Sequence, residues 1–296
     1  MKILRERKLE IINEYLNTPE LERSLTKLGK KWGVKRQTIS KWLYDAGIKV
    51  VNYQNRTRIN ENVFDIINTE EKAYWLGFLY ADGNISKHGN RFEMNLSIQD
   101  LNHMEKFKKF LEFEGNIRII KHHSDTNNIC NISIRNAHMW MQLNDKGCIP
   151  AKSFNIKFPN ESILPKHLIH HFIRGYIDGD GWLYTSNNNT FVGVCSGSKD
   201  FILSIQTLLG GNLSKRYYAP SGNYTFVLRW PQLKSRKIAR LLYENASIYL
   251  ERKYSIYKEF CRLEQECSQM PSSKIGEGWN VNPEVISDIT QGSETP

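Results

Sequence analysis

AYWLGFLYADGNIS (residues 73–86) is echoed by HFIRGYIDGDGWLY (171–184), and this repeat organises the rest of the chain. Asp82 and Asp180 fall at the same place in each copy, 98 residues apart. Gly77 and Ala81 lie four apart, as do Gly175 and Gly179, so each pair lines one face of a helix. Small residues on that face let two helix backbones approach closely, with Gly77 and Gly175 as the packing positions. Packing one copy on the other brings both helix C-termini together near a pseudo-twofold axis. Gly83 and Gly181 sit where helices commonly stop, and the left-handed conformation is expected there.

The echo continues downstream. MNLSIQDLNHMEKFKKFLE (94–112) answers FVGVCSGSKDFILSIQTLLG (191–210) as strand then helix. GNIRII…NICNISIRN (115–136) answers GNLSKRYY…NYTFVLRW (211–230), two strands around a polar turn. GCIPAKSF (147–154) answers IYLERKYS (248–255), which puts Lys152 and Lys253 in matching places. Each half therefore reads αββαββα, and two such halves in one chain imply the one-chain equivalent of a C2 dimer. The strands alternate with period two. Phe92, Met94, Leu96 and Ile98 oppose Arg91, Glu93, Asn95, Ser97 and Gln99. Cys130, Ile132 and Ile134 oppose Asn131, Ser133 and Arg135, and Thr225, Val227 and Arg229 oppose Tyr224, Phe226, Leu228 and Trp230. One face packs on helices and the other meets solvent or a ligand. A polar face of Arg, Asn, Ser, Thr and Gln suits base edges, but an ordinary solvated sheet has the same pattern.

The repeated acids carry the chemistry. Asp82 and Asp180 end helices, where the helix dipole disfavours an anion by about 0.3–1 kcal/mol, and two carboxylates brought together repel. A divalent cation removes both conflicts. Hard cations take carboxylate oxygens and the unpaired carbonyls of a helix end, here those of Ala81 and Gly179. Paired acids beneath a basic groove fit metal-assisted phosphodiester hydrolysis.

The 296 residues carry a net charge of +10, which favours a polyanionic partner. Residues 1–60 hold +8 of it, 271–296 hold −3, and the stretch between holds +5. No run approaches the roughly 18 apolar residues of a spanning helix, so no membrane partner is expected. Five cysteines without a C-x-x-C argue against a disulfide framework or a cysteine-rich zinc site, and for a cytoplasmic setting. Within SLTKLGKKWGVKRQTISKWLYDAGI, Leu25, Leu28, Trp32, Val34, Ile39 and Leu43 recur at helical spacing. Gly33 suits a tight turn between a helix ending near Trp32 and another from about Arg36 to Tyr44. The second exposes Arg36, Gln37, Ser40 and Lys41, types that reach bases and phosphates. This resembles a helix-turn-helix, with Gly29 where that family often has Ala; a basic solvated hairpin is the rival. Arg56 and Arg58 lie in a polar stretch read as a linker across phosphates.

The two motifs resemble those of the single-chain LAGLIDADG homing endonucleases over residues 70–262, roughly two thirds of the chain. The resemblance implies an α+β fold whose two halves form a DNA-binding saddle, with the helix-turn-helix as an addition. It implies a monomeric, metal-dependent endonuclease of an intron, cutting both strands of a long asymmetric site in double-stranded DNA. Asp82 and Asp180 would bind Mg2+, or another cation such as Mn2+. Lys152 and Lys253 would act near the phosphate, with Gln99 or Asp100, and Ser196 or Ser198, as polar neighbours. Tyr80 replaces the earlier acid of the motif, which the second copy keeps as Asp178. Arg91, Asn95, Ser97, Arg135, Lys215, Arg216 and Arg229 would contact DNA. A non-cleaving binder, either a maturase acting on its own intron RNA or a transcription regulator, is the alternative, and an intein endonuclease is disfavoured.

The expected organisation is 1–49 helix-turn-helix, 50–66 linker, 67–160 first half, 161–265 second half and 266–296 flexible acidic tail. The pairs His122–His123 and His170–His171 are read as surface or DNA-facing. Trp75, Trp182 and Trp230 are read as packing residues, and Phe107 and Phe110 as the inward face of their helix.

Overall fold

The computed structural model describes residues 2–19, 23–48, 50, 57–121, 128–186, 189–218 and 222–269. Arg56, His122, His123 and nearly all of the expected tail lie outside them. The described residues form two compact units divided between Ile59 and Asn60, with Phe113–Gly115 counted with the first.

The first unit has three helices, α1 (Lys2–Asn17), α2 (Leu25–Trp32) and α3 (Arg36–Asp45). Ser24 caps α2 by accepting from the Lys27 amide, and Gly33 ends it at φ 61°. A side chain at Gly29 is excluded because its Cβ would stand 2.6 Å from the Val34 carbonyl oxygen. Helix α1 is an addition to the two helices read from the sequence. It supplies Ile11, Ile12 and Tyr15 to a core shared with Leu25, Leu28, Ile39 and Leu43. Glu14 accepts from Lys31 and from the Trp32 indole, tying α1 to α2. Arg36, Gln37 and Lys41 are exposed on α3, and Ser40 is half-buried.

The second unit runs α4 (Glu70–Asp82), β1 (Gly83–Ile85), β2 (Arg91–Ser97), α5 (Leu101–Phe110), β3 (Arg118–Ile120), β4 (Ile129–Arg135) and α6 (Ala137–Asp145). It continues as α7 (Ile169–Asp180), β5 (Gly181–Ser186), β6 (Asn189–Ser196), α8 (Lys199–Leu209), β7 (Asn212–Tyr218), β8 (Asn223–Trp230), α9 (Gln232–Tyr243) and α10 (Glu251–Gln269). The two antiparallel sheets have matching orders, β1-β2-β4-β3 and β5-β6-β8-β7. The repeat in sequence is thus a repeat in topology, and the fold is α+β. No helix among the described residues is long and apolar enough to cross a membrane.

Helices α4 and α7 are the centre of the unit. Ala73 to Tyr80 and Phe172 to Asp178 are buried without a break, as befits helices covered on every side. A Cβ on Gly77 would lie 2.0 Å from the Phe172 carbonyl oxygen, and one on Gly175 would lie 1.9 Å from that of Tyr74. Gly83 and Gly181 differ from expectation. Their φ values, −71° and −103°, are extended, and each begins a strand. Space is the constraint there, since a Cβ would stand 2.6 Å from the Leu79 carbonyl oxygen or 2.7 Å from that of Ile177.

The structure departs from the sequence pattern at three further places. Val63 and Phe64 are buried, so the end of the expected linker packs into the second unit. Ile98 and Gln99 leave strand β2 for a 3-10 turn over Ile98–Asp100, which turns the chain into α5. Lys215 pairs with Phe226 while Arg216 pairs with Thr225, so these two basic residues occupy opposite faces of the second sheet. Phe107 is buried as expected, and Phe110 packs on Phe64 with ring centroids 5.5 Å apart.

The close approach of α4 and α7 leaves no room for a methyl group. Gly77→Ala and Gly175→Ala are each expected to cost about 3 kcal/mol through overpacking, read by urea unfolding of the full chain. A loss below about 1 kcal/mol would mean that the helices separate freely.

Candidate active site at the paired helix ends

The packing of α4 on α7 sets Asp82 and Asp180 side by side. A Cβ on Gly179 would stand 2.3 Å from the Ala81 Cβ and 3.0 Å from Oδ2 of Asp82, so the Asp82 carboxylate lies against the backbone of the opposing helix end. Burial pushes the Asp82 carboxyl up to about 6, and the charge of Asp180 adds to the rise. Asp180 is also raised by burial, with Lys152 and a hydrogen bond from Tyr176 opposing. These are anions under electrostatic pressure, each relieved only in part by the nearby ammonium groups.

Those ammonium groups belong to the two expected lysines. Lys152 donates to the carbonyl oxygens of Leu79, Tyr80 and Ala81. Lys253 donates to those of Ile177, Asp178 and Gly181. Leu79 and Tyr80 correspond by the repeat to Ile177 and Asp178, so each lysine caps the C-terminus of its own half's motif helix. A cation is favoured there by the helix dipole. Burial lowers both lysines, Lys253 to about 8. The Ala81 carbonyl, expected as a metal ligand, accepts from Lys152. Among the described residues, no group of three or more His, Cys, Asp or Glu gathers as a metal site.

Each lysine segment is clasped by the other half. Ser198 Oγ accepts from the Ile156 amide at 3.0 Å, beyond Lys152. Asp100 accepts from Arg252 at 3.2 Å, next to Lys253, and Lys106 donates to Glu251. Asp100 and Ser198 therefore serve as anchors. Ser196 is buried and accepts from the Ser198 amide. Gln99 is exposed on its turn, where Ser97 Oγ accepts from its amide.

A buried network that the motif reading did not foresee spans the halves behind the acids. Asp178 accepts from the Tyr74 hydroxyl at 2.7 Å, the Tyr243 hydroxyl at 2.6 Å and the Leu250 amide at 2.8 Å. The Tyr74 hydroxyl donates to Asp178, so His103 Nε2, 3.0 Å away, must carry the proton that Tyr74 accepts. His103 Nδ1 is buried without a partner. Tyr80, the counterpart of Asp178, donates to the Lys146 carbonyl at 2.5 Å. Arg174 is also enclosed, donating to Glu70 and to the carbonyls of Ile248 and Leu242. His171 was read as surface or DNA-facing. It lies within hydrogen-bond distance of Arg174 instead, and burial lowers it to about 4. His170 is lowered by burial as well.

The outer sheet faces hold most of the expected DNA contacts. Arg91, Asn95 and Ser97 are exposed on β2 across from Arg135, Asn131 and Ile129 of β4. Arg118, not singled out in the sequence, joins this face beside Asn131. Trp75 and Trp230 are buried, whereas Trp182 is half-exposed on the outer face of the second sheet.

Residues 168–242 match the family described as LAGLIDADG-like domain. Among solved structures, the chain is similar to the meganuclease I-SmaMI bound to uncleaveable DNA, at 14% identity and TM-score 0.45, covering 68% of this chain and 92% of that one. It is similar to the I-LtrWI LAGLIDADG homing endonuclease bound to target DNA, at 14% identity and TM-score 0.42, covering 71% and 92%. It is also similar to the N-terminal LAGLIDADG domain of DUF199/WhiA, at 12% identity and TM-score 0.41, covering 66% and 92%. No curated protein sequence matches the chain.

The His103 ring gives the network a defined acid response. Burial, with Lys106, Arg252 and Lys253 nearby, lowers its pKa to about 3, below the unfolded value of about 6.5. The unfolded chain therefore binds a proton that the folded chain refuses, and stability falls as pH drops from 6.5 toward 3. The slope from this group reaches about 1.4 kcal/mol per pH unit. Unfolding titrations from pH 7 to 4 should be shallower for His103→Gln, which keeps a donor and loses the titration. Equal slopes would refute the assignment.

Proposed function

We propose that the protein is a metal-dependent, site-specific double-strand DNA endonuclease of the intron-homing kind. The observation that carries this reading is the pair Asp82 and Asp180, two half-buried carboxylates brought to adjoining helix ends where neither is electrostatically welcome. Their oxygens are hard donors, and burial raises both carboxyls, with the charge of Asp180 adding to the rise at Asp82, so a bound divalent cation would stabilise their ionised forms. Asp82 and Asp180 would hold Mg2+ or Mn2+, leaving coordination positions for phosphate and water oxygens. Such an ion supplies Lewis-acid polarisation of the phosphate and acidification of a water.

The chain's own residues prepare that site. Lys152 and Lys253 commit all three ammonium protons to backbone carbonyls, so their contribution is fixed positive charge and a rigid helix end. The outer sheet faces supply Arg91, Asn95, Ser97, Arg118 and Arg135 in one half, and Arg216 and Arg229 in the other, for duplex DNA. On the opposite face of β7, Lys215 is turned over the Tyr224 ring, 5.0 Å from its centroid. The first unit is read as a helix-turn-helix whose α3 presents Arg36, Gln37 and Lys41 to DNA. A monomer suffices, since both acids lie in one chain.

Asp82→Asn and Asp180→Asn are each expected to abolish double-strand cleavage in magnesium while leaving DNA affinity within a few-fold, as read by gel assays on DNA of the uninterrupted host locus. Wild-type protein that binds this DNA and leaves it uncut would favour a non-cleaving binder. Removal of residues 1–55 should weaken binding and flatten its salt dependence through lost phosphate contacts. Affinity unchanged at every salt concentration would rule out DNA binding by the first unit.

A further inference from the structure

The two sheets present different chemistry at equivalent positions. On the second, Trp182 pairs with Gly193 and Gly193 with Arg229, while Cys195 pairs with Val227. The first sheet has Asn84, Glu93, Ser133, Asn95 and Asn131 in the same register positions. There the side chains satisfy one another, Asn131 donating to Asn95 at 2.8 Å and Ser133 to Glu93 at 2.9 Å. The second sheet instead opens a cleft of about 320 Å³ lined by Trp182, Cys195, Val227, Arg216 and Arg229, with others.

The cleft is pre-arranged. A Cβ on Gly193 would lie 2.2 Å from the indole of Trp182, so the ring rests directly on the backbone of β6. The Arg229 guanidinium stands over the ring, 5.8 Å from its centroid, which restrains a side chain that is otherwise free to sweep. Cys195 and Val227 form an apolar floor. Cys195 Sγ lies 3.4 Å from the Asp180 carbonyl, so the floor adjoins the candidate cleavage centre. An apolar floor beside a held guanidinium matches two features of a major-groove edge. One is the thymine C5 methyl, and the other is the O6/N7 acceptor pair of guanine.

We propose that this cleft is a base-reading site, in which Cys195 and Val227 receive a thymine methyl and Arg229, positioned by Trp182, donates to O6 and N7 of a neighbouring guanine. The proposal rests on the reading of the protein as a DNA binder. It makes the half-site on the second sheet sensitive to a methyl group at this position, where the first sheet has the hydrogen-bonded pairs Asn95–Asn131 and Glu93–Ser133.

The probe is a random-sequence DNA duplex library, selected on the full chain without divalent cations. In the enriched duplex each thymine is replaced singly by deoxyuridine and each guanine by 7-deazaguanine. One thymine should lose about three- to five-fold in affinity as deoxyuridine, the worth of a buried methyl. An adjacent guanine should lose about tenfold as the 7-deaza analogue. Val227→Asn should erase the first effect and Arg229→Ala the second, and Trp182→Leu should reduce the guanine effect while sparing the thymine one. An enriched duplex that tolerates every analogue, or analogue effects that persist in both variants, overturns the cleft assignment alone. A library that yields no enriched duplex overturns the DNA-reading function and the cleft with it. The wild-type analogue series is decisive even if a variant fails to fold.

Discussion

Backbone meets backbone where α4 crosses α7 at Gly77 and Gly175, and the rest of the second unit depends on that contact. Two helices held apart by side chains would end at separate places, each with a solvated carboxylate of ordinary acidity. At this separation the helix ends converge, Asp82 comes to rest against Gly179, and burial raises both acids. The same approach places Tyr74 of one helix against Asp178 of the other and closes a hydrogen-bond network between the halves. Packing geometry and site electrostatics are thus one constraint.

Charge balance at the centre is met from outside the motif helices. Lys152 and Lys253 arrive from segments far along the chain and neutralise the carbonyl ends of α4 and α7. Each lysine serves its own half while its segment is fastened by the other, through Ser198 in one case and Asp100 with Lys106 in the opposite one. Relative movement of the halves would therefore pull on the cations as well as the acids, coupling the rigidity of the interface to the charge at the site.

Much of this was visible in the sequence because periodicity and repetition are local signals. The repeated G-x-x-x-small pattern identified the helix interface, the second copy identified the acids, and period-two alternation identified the sheet faces. What escaped depends on long-range partners. Nothing near His103 announces that its ring faces Tyr74, and Arg174 reads as an exposed base until α4, α9 and the approach to α10 close around it. Gly83 and Gly181 were legible as necessary glycines, but the cause is crowding by the preceding turn and not a left-handed φ. Helix α1 escaped because its buried residues form a narrow stripe in a strongly charged segment.

The Tyr74–Asp178 hydrogen bond makes the two halves of the repeat unequal. The residue equivalent to Tyr74 in the second half is Phe172, and the residue equivalent to Asp178 in the first half is Tyr80. Two copies of the second half, paired on the same axis, would face Asp178 with a phenyl ring and leave a buried carboxylate one donor short. Two copies of the first would set the Tyr74 hydroxyl toward another tyrosine and remove the acid that receives it. The two halves share a topology but carry complementary side chains across the axis, so each is a lock for the other's key and neither could replace its partner without leaving a buried polar group unmatched.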